Sequence, residues 1–145
     1  LIILLMYNSL LMKHIIKIIV YFYLISNSAA STSFYQEALQ SFEKSEFELS
    51  IRYLEKNIVF NPKSSESYIL LGKSYSALAN SNKANKYFKI AYTLIPENIE
   101  LNFLLGEVSY NLGLIEEYAE YLSNLEIICP KKCDEIDRLK KLSIE

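Results

Sequence analysis

The sequence predicts an all-α chain built as an array of helix pairs, and three observations carry that prediction. Prolines stand at Pro62, Pro96 and Pro130 and nowhere else, each gap being 34 residues. Between them apolar residues recur at intervals of three and four, as on one face of a helix. Glycine is scarce, three in 145 residues, which argues against a turn-rich all-β fold and suits paired helices.

The first stretch is an address rather than a fold. Met12-Lys13-His14-Ile15-Ile16-Lys17 leads into the apolar run Ile18 to Ile25, followed by the small residues Ser26 to Ser31. A basic start, a short apolar core and small residues before a cut make a secretory signal peptide, with cleavage expected after Ala30. The run is too short to span a bilayer, which needs roughly 20 apolar residues. The rival reading is a retained membrane anchor that also draws on Leu1 to Met12, at the expense of placing Lys13, His14 and Lys17 within the span. Leu1 is an unusual first residue, and Met6 or Met12 is a more natural start. No cysteine follows the apolar run, so lipoprotein attachment is unsupported.

From residue 31 the helix pairs follow in order. Phe34, Ala38, Leu39 and Phe42 mark the first helix, and Phe47, Ile51, Leu54 and Ile58 mark its partner. Asn61-Pro62 breaks the chain, and Ser64 or Ser65 is suited to cap the next helix. The second pair is expected to turn at Asn80-Ser81-Asn82, and Pro96-Glu97 ends it with Asn98 as the next cap. Gly113 is placed to end the following helix in a left-handed conformation. A last helix of that pair runs from about Ile115 to Ile128. Beyond Pro130, Ile136, Leu139 and Leu142 recur every three residues among charges, an amphipathic segment able to cover the apolar end of the array.

The central stretch reads Tyr68-x2-Leu71-Gly72-x2-Tyr75-x8-Ala84-x3-Phe88-x2-Ala91-x4-Pro96. It resembles the tetratricopeptide repeat (TPR), a 34-residue helix–turn–helix unit. Tyr68 stands where Trp is commonest. The resemblance implies a right-handed α-solenoid of three TPR pairs plus a C-terminal capping helix. Its repeats cover about 31–64, 65–98 and 99–132, with the cap over 133–145 and the leader over 1–30. Gly72 would let the two helices of its pair lie close, with Ala84 facing it. Repeat one keeps Phe34, Ala38 and Leu54 in register, with Ser50 where Ala is usual. Repeat three keeps Leu105-Gly106, but Asn102 replaces the aromatic, and Tyr110 and Ala119 each sit one residue late.

In this family the first helices of successive repeats line a concave groove. The positions that match here are Tyr35, Gln36, Leu39 and Phe42, then Glu66, Ile69, Leu70, Lys73 and Ser76, then Glu100, Phe103, Leu104, Glu107 and Tyr110. Tyr35, Leu39, Phe42, Ile69, Lys73, Phe103, Glu107 and Tyr110 are the expected partner-binding residues. Family members that clamp the carboxylates of cytosolic chaperone C-termini place Lys, Asn and Arg at groove positions where this chain has Tyr35, Leu39, Leu70 and Glu100. An apolar, aromatic-edged strip remains, suited to an amphipathic helix or an extended segment.

The same resemblance, joined to the leader, implies a non-enzymatic interaction module or scaffold in the bacterial envelope, periplasmic or anchored facing the periplasm. A self-associating structural protein is the alternative. No catalytic residue is assigned: the single histidine, His14, lies in the leader, and no Ser-Lys or Cys-His arrangement is recognisable. No metal or cofactor is expected, because further ligands are missing. Net charge is −2, or about −4 without the leader, which does not suit a nucleic-acid partner. The membrane enters only through the leader. Cys129 and Cys133 are expected to form a disulfide, contributing about 2 kcal/mol by closing so small a loop. Free thiols, or a redox or metal role, are the alternatives, the C-x3-C spacing departing from that of thiol–disulfide enzymes.

Overall fold

A computed structural model of the chain describes residues 12–21, 34–129 and 133–143. Among the described residues all regular structure is helical. Helix α1 covers 34–43, and α2 (Phe47–Phe60), α3 (Ser65–Ala77), α4 (Ser81–Leu94), α5 (Ile99–Asn111), α6 (Ile115–Ile128) and α7 (Asp134–Leu142) follow. Residues 12–21 form a separate, exposed helical stretch. Among the described residues no helix is long and apolar enough to cross a membrane. The predicted cleavage motif, with Ala30, lies outside the described residues, as does Pro130. The helices form an all-α solenoid: α3 packs on α4 and α5 on α6, α2–α3 and α4–α5 contacts stack successive pairs, and α7 covers α5 and α6.

The chain reverses within each pair by the same device. Ser45, Ala79 and Gly113 hold positive φ values of 62°, 55° and 71°. In each turn the following N–H reaches back to a helix carbonyl: Glu46 N to Ser41 O at 2.8 Å, Asn80 N to Tyr75 O at 2.9 Å, Leu114 N to Ser109 O at 2.9 Å. These are Schellman closures, and they satisfy carbonyls that the helix ends leave open. Gly113 was legible in advance; Ser45 and Ala79 occupy the same left-handed place with a β-carbon. The predicted turn at Asn80-Ser81-Asn82 shifts accordingly. Leu78-Ala79 turns, Asn80 caps α4 by accepting from Lys83 N at 3.1 Å, and Ser81 and Asn82 are already helical. Ser64 and Asn98 cap α3 and α5 as expected, accepting from Ser67 N at 3.3 Å and Leu101 N at 2.8 Å.

Repeat two closes on itself. Leu71, Ala84, Phe88 and Ala91 are fully buried, and a Cβ at Gly72 would collide with the Phe88 ring. Glycine is therefore required there by Phe88, while the small Ala84 lets α4 approach α3. In repeat one, Ala38, Ser50 and Leu54 fill the corresponding places, all fully buried. Asn57 Nδ2 donates to Ser67 Oγ at 2.7 Å, tying repeat one to repeat two.

Repeat three differs. Ala119 is exposed, and the residue in register with Ala84 is the buried Tyr118. Gly106 faces no ring of α6: a Cβ there would meet the Leu139 side chain of α7, 2.5 Å from its Cδ2. Tyr118 Oη in turn donates to Leu139 O at 3.0 Å, and the Tyr110 ring lies 5.5 Å from that of Tyr118. The C-terminal helix thus supplies core to the third pair as well as covering it.

Asn102, read as a departure from the pattern, takes over one task of the aromatic it replaces. Tyr68 Oη donates to Pro62 O at 3.1 Å; Asn102 Nδ2 donates to Pro96 O at 2.7 Å, in the same place one repeat later. Both tie the first turn of a helix to the proline that precedes it. Between the outer helices Tyr92 meets Tyr121 edge-on at 5.6 Å, and Lys89 pairs with Glu117 at 2.8 Å. Burial, then the charges of Glu117 and Glu120, push the Tyr121 phenol up to about 12.

Candidate partner-binding surface

Helices α1, α3 and α5 are the first members of their pairs, so their matching positions fall along one side of the array. There a shallow hollow of about 190 Å³ is lined by Tyr35 and Leu39 of α1, by Glu66, Ile69, Leu70 and Lys73 of α3, and by Glu100 of α5. The spacings explain the convergence: Tyr35 and Leu39 are one helical turn apart, as are Glu66 and Leu70, and Ile69 and Lys73. Leu70 is buried and forms part of the apolar floor. Lys73 Nζ lies 2.5 Å from Glu100 Oε1, an ion pair that links α3 to α5 across the rim. Burial, and secondarily the nearby charge of Glu66, raise the Tyr35 phenol above its ordinary value, so it remains a hydroxyl at neutral pH.

Four of the expected residues, Tyr35, Leu39, Ile69 and Lys73, therefore share one concavity. The others do not join them. Phe42 is half-buried and packs edge-on against Phe47 at 5.4 Å. Glu107 and Tyr110 are partly exposed further along α5, with Tyr110 turned to Tyr118. Phe103 requires a correction. Expected to be an open groove residue, it is buried at 6% exposure, with the Arg138 guanidinium 4.3 Å from its ring centre. It belongs to a second core with Tyr118, Leu125 and Leu139. Helix α7 docks where Phe103 would otherwise face solvent. The three-residue spacing of Ile136, Leu139 and Leu142 signals an apolar stripe, but not which residue that stripe covers.

A second hollow of about 410 Å³ runs along α2, lined by Leu49, Arg52, Tyr53, Glu55, Lys56 and Val59. These six residues come from a single helix, so no second element fixes their spacing. Cys129 and Cys133 stand with Cα atoms 6.3 Å apart, within the span a disulfide bridges, at the junction of α6 and α7. Among the described residues no three His, Cys, Asp or Glu side chains converge on a point that would hold a metal ion.

Solved structures with the same stacked helix pairs, TPR domains among them, decide the fold. MamA superposes with a TM-score of 0.74 at 19% identity, covering 81% of this chain and 64% of that one. The fold is that of the tetratricopeptide repeat. The second TPR domain of human RPAP3, in complex with the HSP70 peptide SGPTIEEVD, gives a TM-score of 0.73 at 14% identity, over 81% of this chain and 98% of that one. The Yersinia enterocolitica type III secretion chaperone SycD, in complex with a peptide of the translocator YopD, gives 0.67 at 14% identity, over 78% and 86%. No protein-family model matches the sequence, and comparison with curated proteins returns no match. Identities this low establish the TPR architecture and leave partners to the site itself.

Proposed function

We propose that the chain is a non-enzymatic protein-interaction module of the bacterial envelope that holds a partner helix or extended segment in the hollow between α1, α3 and α5. The observation that carries this reading is the convergence of Tyr35, Leu39, Ile69 and Leu70, from two successive repeats, on one apolar floor rimmed by charge. The peptide complexes of RPAP3 and SycD support it, since the same architecture there accommodates a peptide. Export rests on the leader pattern over 1–30, and an oxidising compartment suits a Cys129–Cys133 disulfide at the base of α7.

The test is in-cell cross-linking of the wild type against Ile69→Glu. Ile69 is only partly buried, and a thermal melt confirms that the variant folds. A cross-linked partner lost from the variant is expected; an unchanged set of cross-links overturns the groove reading. Cell fractionation with intact mass tests the location. A periplasmic species beginning after Ala30, with both cysteines protected from alkylation until reduced, is expected. A full-length cytosolic species with two free thiols overturns export.

A further inference from the structure

The hollow is unbalanced in charge. Among the described residues three charged side chains line it, Glu66, Lys73 and Glu100. Lys73 is engaged with Glu100, so the one cation of the hollow is already neutralised. Among the described residues Glu66 has no such ion-pair partner. Among the described residues its carboxylate accepts a hydrogen bond only from the Ser64 hydroxyl, at 3.2 Å, and it remains exposed. Burial first, and then this same carboxylate, raise the Tyr35 phenol of α1. Glu107, two turns beyond Glu100 on α5, adds a further negative charge on that side of the helix.

Charge complementarity therefore names the occupant. We infer that the groove selects a partner segment in which a large apolar side chain stands beside a lysine or arginine. The apolar side chain enters between Tyr35, Leu39, Ile69 and Leu70, and the cation reaches Glu66. This rests on the hollow being the binding surface. The polarity is the reverse of a carboxylate clamp. An acidic segment would set its carboxylates against Glu66, and it would gain Lys73 only by separating that lysine from Glu100.

The full chain is titrated by fluorescence anisotropy against a set of labelled nine-residue peptides. Each carries a central Leu, Ile or Phe flanked at varied positions by either Arg or Glu. The best Arg peptide is expected to bind about fivefold tighter than its Glu counterpart, a gap that narrows as salt rises. Glu66→Gln removes the preference, while Lys73→Ala frees Glu100 and widens it. A clamp that used Lys73 to hold a carboxylate would show the opposite sign for the lysine variant. Equal or tighter binding of the Glu peptides, or a preference intact in Glu66→Gln, overturns the charge inference while leaving the groove in place. Binding of no peptide above the level seen with Ile69→Glu overturns the groove reading as well.

Discussion

Repeats two and three begin alike, with a Leu-Gly pair on the first helix, and are completed differently. In repeat two the space over Gly72 is filled from within the repeat by Phe88, and Ala84 leaves room for close approach. In repeat three the bulky Tyr118 stands at the position of Ala84, and the space over Gly106 is filled by Leu139, more than thirty residues along the chain. One repeat is self-contained; the other is finished by a helix that belongs to no repeat. Apparent degeneracy at the end of a repeat array can thus reflect a second set of contacts rather than loose packing.

The sharpest way to break that comparison is at Leu139, which is fully buried. Leu139→Ala is expected to cost about 2–5 kcal/mol, the usual range for a core leucine truncated in place. Hydrogen exchange should accelerate in α5, α6 and α7 while α3 and α4 keep their protection. Uniform acceleration along the whole array would show that repeat three does not depend on α7 in particular.

A smaller effect separates two tyrosine hydroxyls. Tyr118→Phe leaves the buried Leu139 carbonyl without its donor and should lower stability by about 1–1.5 kcal/mol in a denaturant titration. Tyr68→Phe removes an exposed bond to Pro62 and should cost roughly half a kcal/mol or less. Equal losses would mean that the contact between Tyr118 and α7 is no more than surface trim.

The smallest and most symmetric test lies in the turns. Ala79→Gly relieves a β-carbon at φ 55° and should raise stability by up to about 1 kcal/mol. Gly113→Ala should lower it by a similar amount, and through the local backbone alone, because nothing beyond its chain neighbours lies within 4 Å of the added Cβ. Matching signs for the two substitutions would show that the turns are not equivalent.

Much of the architecture was legible because its determinants are local. Proline spacing, the caps Ser64 and Asn98, and the bounds of α6 follow from residues within one or two turns of each boundary. Repeat two was readable for the same reason, since its fillers and its glycine share one 34-residue unit. What escaped was long-range. The burial of Phe103 depends on where α7 lands, which an amphipathic stripe leaves open. Ala119 was read as the repeat's small residue sitting one position late; the structure keeps strict register and puts Tyr118 inward instead. Asn102 escaped because a short amide and a long phenol look unrelated until both are seen reaching a proline carbonyl. At the groove, Tyr35, Leu39, Ile69 and Lys73 were placed by family position, whereas the pairing of Lys73 with Glu100 spans two repeats and leaves no local trace.

Helix α7 also has a consequence for how copies of the chain can meet. It packs on the face of α5 and α6 where a further helix pair would stack, and leaves Asp134, Asp137, Lys140 and Lys141 exposed on its other side. Head-to-tail polymerisation of a solenoid needs a complementary apolar face at both ends. A copy stacking on α5 and α6 would first have to displace α7 and the Leu139 contacts that finish the third pair.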